Sequence, residues 1–195
     1  MVEPMRTHPL APFTVAARAV PGPEPVTLQA HPFRGKLILR AGADVAVRAA
    51  DSLGFALPPT LRAARGDGIA ALWLGPDEWL LLADADGSEP LASRLRAALA
   101  EHHHAVVDVS DRLAGIAVRG GRAADVLAAG CALDLHVRAF PAGMVTRTLL
   151  GKAQLVLHRP EDAAGFDLYV NASLAPYVWL FLENAAREFG FAVAG

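Results

Sequence analysis

Cysteine is almost missing from this chain: Cys131 stands alone among 195 residues, so no intrachain disulfide can form and a reducing, cytoplasmic setting is expected. Charge is scarce as well, at 19% of residues against about 25% in an average globular chain. The formal net charge is -2, the pI is near 6.4, and no basic stripe is interleaved with aromatics. A protein that draws its affinity from neutralising phosphates needs the opposite, so nucleic acid is excluded as an expected partner. Long hydrophobic runs are lacking too. Stretches such as Trp79 to Ala83 fall far short of the ~20 residues of a membrane-spanning helix, so no membrane partner is expected. Pro4, Pro9 and Pro12 interrupt the N-terminal region where a secretory signal would need a continuous apolar stretch. What the chain does have is apolar mass, 53% of residues with a mean hydropathy of +0.31. That suffices for a real core in one domain or two half-domains. The excess is either covered by a partner or spread over the surface as alanine.

Seven of the fourteen prolines fall in residues 1–32. Each removes a backbone donor and disfavours helix, so this stretch reads as an extended arm largely outside the core, either disordered or laid along another subunit. Residues 33–195 read as one α+β domain. Lys36 to Leu39 is a strand, and Val45, Ala49 and Leu53 place one apolar helical face before the stop at Gly54. Ala70 to Leu74 and Trp79 to Ala83 flank Gly75-Pro76-Asp77-Glu78 as a hairpin. A helix over 89–101 and a strand over Ala105 to Val109 complete a split βαβ, or ferredoxin-like, order. The order then starts again: strand Leu113 to Val118, helix Arg122 to Ala129, and a hairpin of Val145 to Leu150 and Ala153 to Leu157. Phe166, Leu168 and Val170 alternate with Asp167, Tyr169 and Asn171 as in a half-buried strand, and a last helix begins at Ser173 as N-cap and ends before Gly190. Two pseudo-repeats, 33–111 and 112–195, are therefore expected as tandem ferredoxin-like units, the alternative being one continuous sheet.

The last helix has no polar face in its first two turns, Leu174 to Leu182. It must be covered all round, either within the chain or by a partner. Tyr177, Trp179 and Phe181, together with Trp79 and Arg112, are the candidate interface residues, aromatic anchors being common at interfaces. No catalytic, cofactor-binding or metal-ligating residue is assigned. His102, His103 and His104 are adjacent and diverge along one backbone segment. Cys131 reads as a small buried side chain near a helix end. Asp108, Ser110, Asp111 and Arg112 read as turn chemistry at a strand end, and Asp77 with Glu78 as a solvated loop. Gly120-Gly121 carries neither a GxGxxG spacing nor a P-loop lysine.

Several segments in order, GPDEWLL at 75–81, VVDVSDR at 106–112, GCALDL at 130–135, FPAG at 140–143 and RTLLGKAQLVLHR at 147–159, then FDLYV and LAPYVWLFLENAAREFG, resemble the gamma subunit family of heterotetrameric sarcosine oxidase. The resemblance covers most of residues 70 to 190. Asn171-Ala172 departs from it where an arginine is expected, which puts a local polar contact in doubt. The family is similar in fold to the folate-binding domain of glycine-cleavage aminomethyltransferases. The resemblance implies a non-catalytic assembly subunit that partners alpha, beta and delta subunits, most directly alpha. The whole complex would demethylate sarcosine oxidatively, pass the one-carbon unit to tetrahydrofolate and release hydrogen peroxide. FAD, FMN, NAD and the folate site would lie in the larger subunits, and zinc in delta. The alternatives are an independent folate-binding aminomethyltransferase-like protein, or an adaptor of a related N-methyl amino-acid dehydrogenase.

Overall fold

The computed structural model describes residues 7–194. A single helical turn, α1 (Ala11–Thr14), precedes strands β1 (Arg18–Val20) and β2 (Val26–Ala30). The first repeat follows as β3 (Gly35–Ala41), α2 (Ala43–Leu53), β4 (Ala63–Gly66), β5 (Ile69–Gly75), β6 (Glu78–Ala83), α3 (Ser88–Ala98) and β7 (His104–Asp108). The second runs β8 (Leu113–Arg119), α4 (Ala123–Ala128), β9 (Val145–Leu150), β10 (Ala153–His158), β11 (Gly165–Asn171), α5 (Ala175–Ala186) and β12 (Phe191–Ala194).

The strand orders are β4-β5-β6-β3-β7 in one sheet and β1-β12-β2-β8-β11-β10-β9 in the other. Leaving out β1 and β2, the second order is the first repeated: a three-strand meander, β4-β5-β6 or β9-β10-β11, flanks the opening strand, and the closing strand lies on its other side. Two sheets form, so the single continuous sheet is set aside.

The departure is β2. It inserts between β8, to which it pairs antiparallel, and β12, to which it pairs parallel. The N-terminal stretch therefore does not lie outside the core, contrary to its proline content: Leu10, Val26 and Leu28 are buried in it. Pro21, Pro23 and Pro25 fall in the exposed loop before β2, where a missing N–H costs the sheet nothing. Val26-Thr27-Leu28 alternates as a strand must. Residues 1–6 of the expected arm lie outside the described residues.

Four layers result. α2 and α3 cover one sheet through Val45, Ala49, Leu53, Leu91 and Leu95. α4 and α5 cover the other through Val126, Leu127, Val178, Trp179 and Leu182. The bare faces of the two sheets meet through Leu72, Leu80, Val145, Val156 and Tyr169. Strands covered on both faces need apolar residues at every position, which is why β6 reads as the unbroken run Trp-Leu-Leu-Leu-Ala.

The same layering corrects the reading of β11. Its Asp167-Tyr169 face meets the opposing sheet rather than water, and both residues are buried. The last helix also starts later than Ser173. A 3₁₀ turn spans Ala172–Leu174, no side chain caps α5, and Pro176 occupies its first turn, where the fixed φ of proline sets helix geometry without a capping hydroxyl.

Candidate functional site

Burial sorts the five interface candidates. Trp179 is 0% exposed, and its indole N–H donates to Glu183. Trp79 is 6% exposed, with Nε1 donating to the Pro58 carbonyl at 3.0 Å. Both indoles are used up in this chain's own cores, so neither offers a surface to a partner, a correction that follows from sheets covered on both faces. Phe181 is half-buried, beside Tyr177 at 6.5 Å between ring centroids. Tyr177 is 39% exposed, and its hydroxyl accepts from the Lys152 N–H at 3.2 Å, docking α5 on the β9–β10 turn. Arg112 is exposed and stands apart from these, its carbonyl accepting from the Ala172 N–H at 2.8 Å. Leu180, three residues on from Tyr177 and 52% exposed, adds apolar surface beside it that the aromatic signal missed.

The remaining polar motifs are tied into the fold. Asp77 pairs with Arg40 at 3.2 Å, and Glu78 with Arg147 at 2.6 Å. Asp108 accepts from the Ser110 N–H at 2.8 Å, and the Ser110 hydroxyl accepts from the Lys36 N–H at 2.9 Å. Lys36 is itself buried, its ammonium donating to the carbonyls of Arg34 and Ser110 at 3.1 and 3.2 Å. Cys131 is buried with Sγ 3.7 Å from Thr148 Oγ1. Among the described residues, no three His, Cys, Asp or Glu side chains converge as ligands of one metal ion.

Sequence reasoning missed a polar cleft of about 460 Å³ between the two sheets, lined by Arg34, Arg65, Arg119, His158, Asp167 and Tyr169 among others. Asp167 is its most heavily engaged acid. Its Oδ1 accepts from His31 Nε2 at 3.0 Å and from the Arg119 guanidinium. Gly115 on β8 makes room for that imidazole, since a Cβ there would lie 2.8 Å from the His31 ring. Burial by itself pushes the Asp167 carboxyl up, but the hydrogen bond and charge of His31, joined by Arg119, outweigh it and hold the carboxyl below its ordinary range. Its cross-strand partner His158 is held below the ordinary imidazole value, first by burial and against the pull of Asp167. Burial also pushes the Tyr169 phenol upward. Arg65 forms a two-pronged ion pair with Asp162 at 2.9 and 3.2 Å at the mouth. The signal that could have exposed this site is an Asp and a His on paired strands otherwise destined for the interior.

Residues 40–188 match the model of the sarcosine oxidase, gamma subunit family. Sarcosine oxidase subunit gamma of Corynebacterium sp. (strain U-96) is 32% identical over 194 residues, covering 96% of this chain and 93% of that one. A chain of the heterotetrameric sarcosine oxidase from Corynebacterium sp. U-96, in complex with pyrrole 2-carboxylate, superposes with a TM-score of 0.85 over 94% of this chain and 96% of its own length, at 32% identity. Glycine cleavage system aminomethyltransferase T from Bartonella henselae shares the fold at a TM-score of 0.68, with 14% identity over 87% of this chain and 48% of its own. The ferredoxin-like repeats, the length and the identity agree on one assignment: this chain belongs to the sarcosine oxidase gamma subunit family.

Proposed function

We propose that the chain is the non-catalytic gamma subunit of a heterotetrameric sarcosine oxidase, and that it serves the assembly. The observation that carries this reading is near full-length similarity to a sarcosine oxidase gamma subunit, both in sequence and in superposition on a chain of the heterotetrameric enzyme. The reaction assigned to the complex is oxidative demethylation of sarcosine, with one-carbon transfer to tetrahydrofolate and release of hydrogen peroxide. On this reading FAD, FMN, NAD and tetrahydrofolate are held by the larger subunits and zinc by delta. Alpha is the principal partner, and the subunits meet in the cytoplasm. Among the described residues no helix is long and apolar enough to cross a membrane.

The docking surface is assigned to the outer side of α5. Tyr177 and Leu180 remain exposed there, and desolvating such side chains is what stabilises an interface. Co-purification from the native cells tests the reading. Recovery of three partner chains with flavin absorbance and sarcosine-dependent peroxide release is expected, and a stable chain without partners would overturn it.

A further inference from the structure

The gap between the sheets opens a second time, in a cleft of about 350 Å³ that shares Tyr169 with the first. That volume is in the usual range for small-molecule sites, and docking through α5 makes no use of it. Its walls are apolar. Leu74 and Val156 belong to the cluster in which the two bare sheet faces meet, and Ile38 and Leu113 pack against that cluster. An apolar group placed between them is withdrawn from water.

The rim is polar and in part uncommitted. Val156 pairs with Tyr169 across β10 and β11, and two residues further out, on the same face of each strand, stand Gln154 and Asn171. Asn171 pairs in turn with Leu113. The neighbouring Arg112 is held there by its carbonyl, which accepts from the Ala172 N–H at 2.8 Å. Among the described residues, no hydrogen bond or ion pair engages the Arg112 guanidinium or either carboxamide. Elsewhere on the rim Glu78 is bound by both prongs of Arg147, at 2.6 and 3.3 Å. Arg112 is therefore the one charged lining residue left unanswered, and the cleft is a single negative charge short. The guanidinium fork and the two carboxamide NH₂ groups all donate, and a carboxylate accepts from all three.

We propose that this second cleft binds a small monocarboxylate with a compact apolar body, its carboxylate on Arg112, Asn171 and Gln154 and its body against Ile38, Leu74 and Val156. The site lies wholly on this chain and does not depend on the assembly role.

The test is titration of the isotope-labelled full chain with hydrocinnamate and with isovalerate, followed through the side-chain amide resonances of Asn171 and Gln154. Acetate isolates the contribution of the apolar body, and hydrocinnamamide that of the charge. Saturable shifts with at least one of the two acids are expected, with acetate and the neutral amide about tenfold weaker or more. Arg112→Gln should weaken binding by a similar factor, while Arg34→Gln, in the first cleft, leaves it unchanged. Absence of saturation with both acids overturns the proposal, and the cleft is then left to water or to a partner's side chain. Hydrocinnamamide binding as tightly as hydrocinnamate also overturns it, as does undiminished binding by folded Arg112→Gln. Should that variant fail to fold, the comparison of acid with amide on the unaltered chain decides.

Discussion

Trp179 and Leu180 are neighbours in sequence, and the first is 0% exposed while the second is 52% exposed. Trp179→Ala removes a fully buried indole and should cost about 3–5 kcal/mol of stability, measured as a lower urea midpoint. Any loss of assembly in that variant follows from unfolding. Leu180→Ser should change the chain's own stability by no more than about 0.5 kcal/mol and yet reduce recovery of partner chains on co-purification. Normal recovery would remove α5 from the interface.

His158 gives a pH prediction at the same scale. Its native value lies below the ordinary 6.5 because burial disfavours the cation. Below pH 6.5 the unfolded chain therefore binds a proton that the native chain refuses, and stability falls as pH drops toward the native value. His8 is shifted the same way, by burial first and then by the charge of Lys36. Asp167, held below 3.8, adds a further loss of the same sign in more acid solution. Urea midpoints measured against pH should decline on the acid side of 6.5, and His158→Gln should make that decline shallower without removing the His8 part.

Among the elements, the paired strands β8 and β11 show how little slack the interior has. Gly165 opens β11 at φ +125°, and a Cβ there would lie 2.1 Å from the Val118 carbonyl oxygen. Gly165→Ala should therefore destabilise by about 1–3 kcal/mol or more through backbone strain and clash, read from the urea midpoint. Most elements were legible before the fold was known. The four-residue spacing of Val45, Ala49 and Leu53, the glycine stop at residue 54 and the two hairpins all express local backbone preferences that neighbours along the chain suffice to reveal. β1, β4 and β12 were not. They are three or four residues long, too short for a period to show, and pairing with other strands alone makes them strands. Ser173 misled as a cap because Pro176 and a 3₁₀ turn start α5 without one.

For the whole molecule, β2 is the element whose place matters most. It lies between the first and last strands of the second repeat, so its backbone satisfies hydrogen bonds on both sides. Deleting residues 7–30 would expose β8 and β12 edges and open the core at Val26 and Leu28. The expected outcome is an insoluble or unfolded chain, detected by loss of cooperative unfolding. A folded truncation with only weaker assembly would instead restore the picture of a detachable arm.

The sequence by itself determined the repeated strand-helix order, the helical faces, the family resemblance and the absence of a disulfide, because each rests on composition or on contacts a few residues apart. Only the tertiary structure decided that the two sheets stack face to face and that residues 26–30 complete one of them. Stacking turned the Asp167-Tyr169 face of β11 inward and enclosed Arg119, His158 and Asp167 around one cleft, while packing of the helices on the outer faces took Trp79 and Trp179 from the surface. Period-two alternation states which side chains share a face of a strand. What covers that face is set by residues about 75 to 100 positions away, as with Leu72 and Leu80 against Val156 and Tyr169, and no local pattern carries that information.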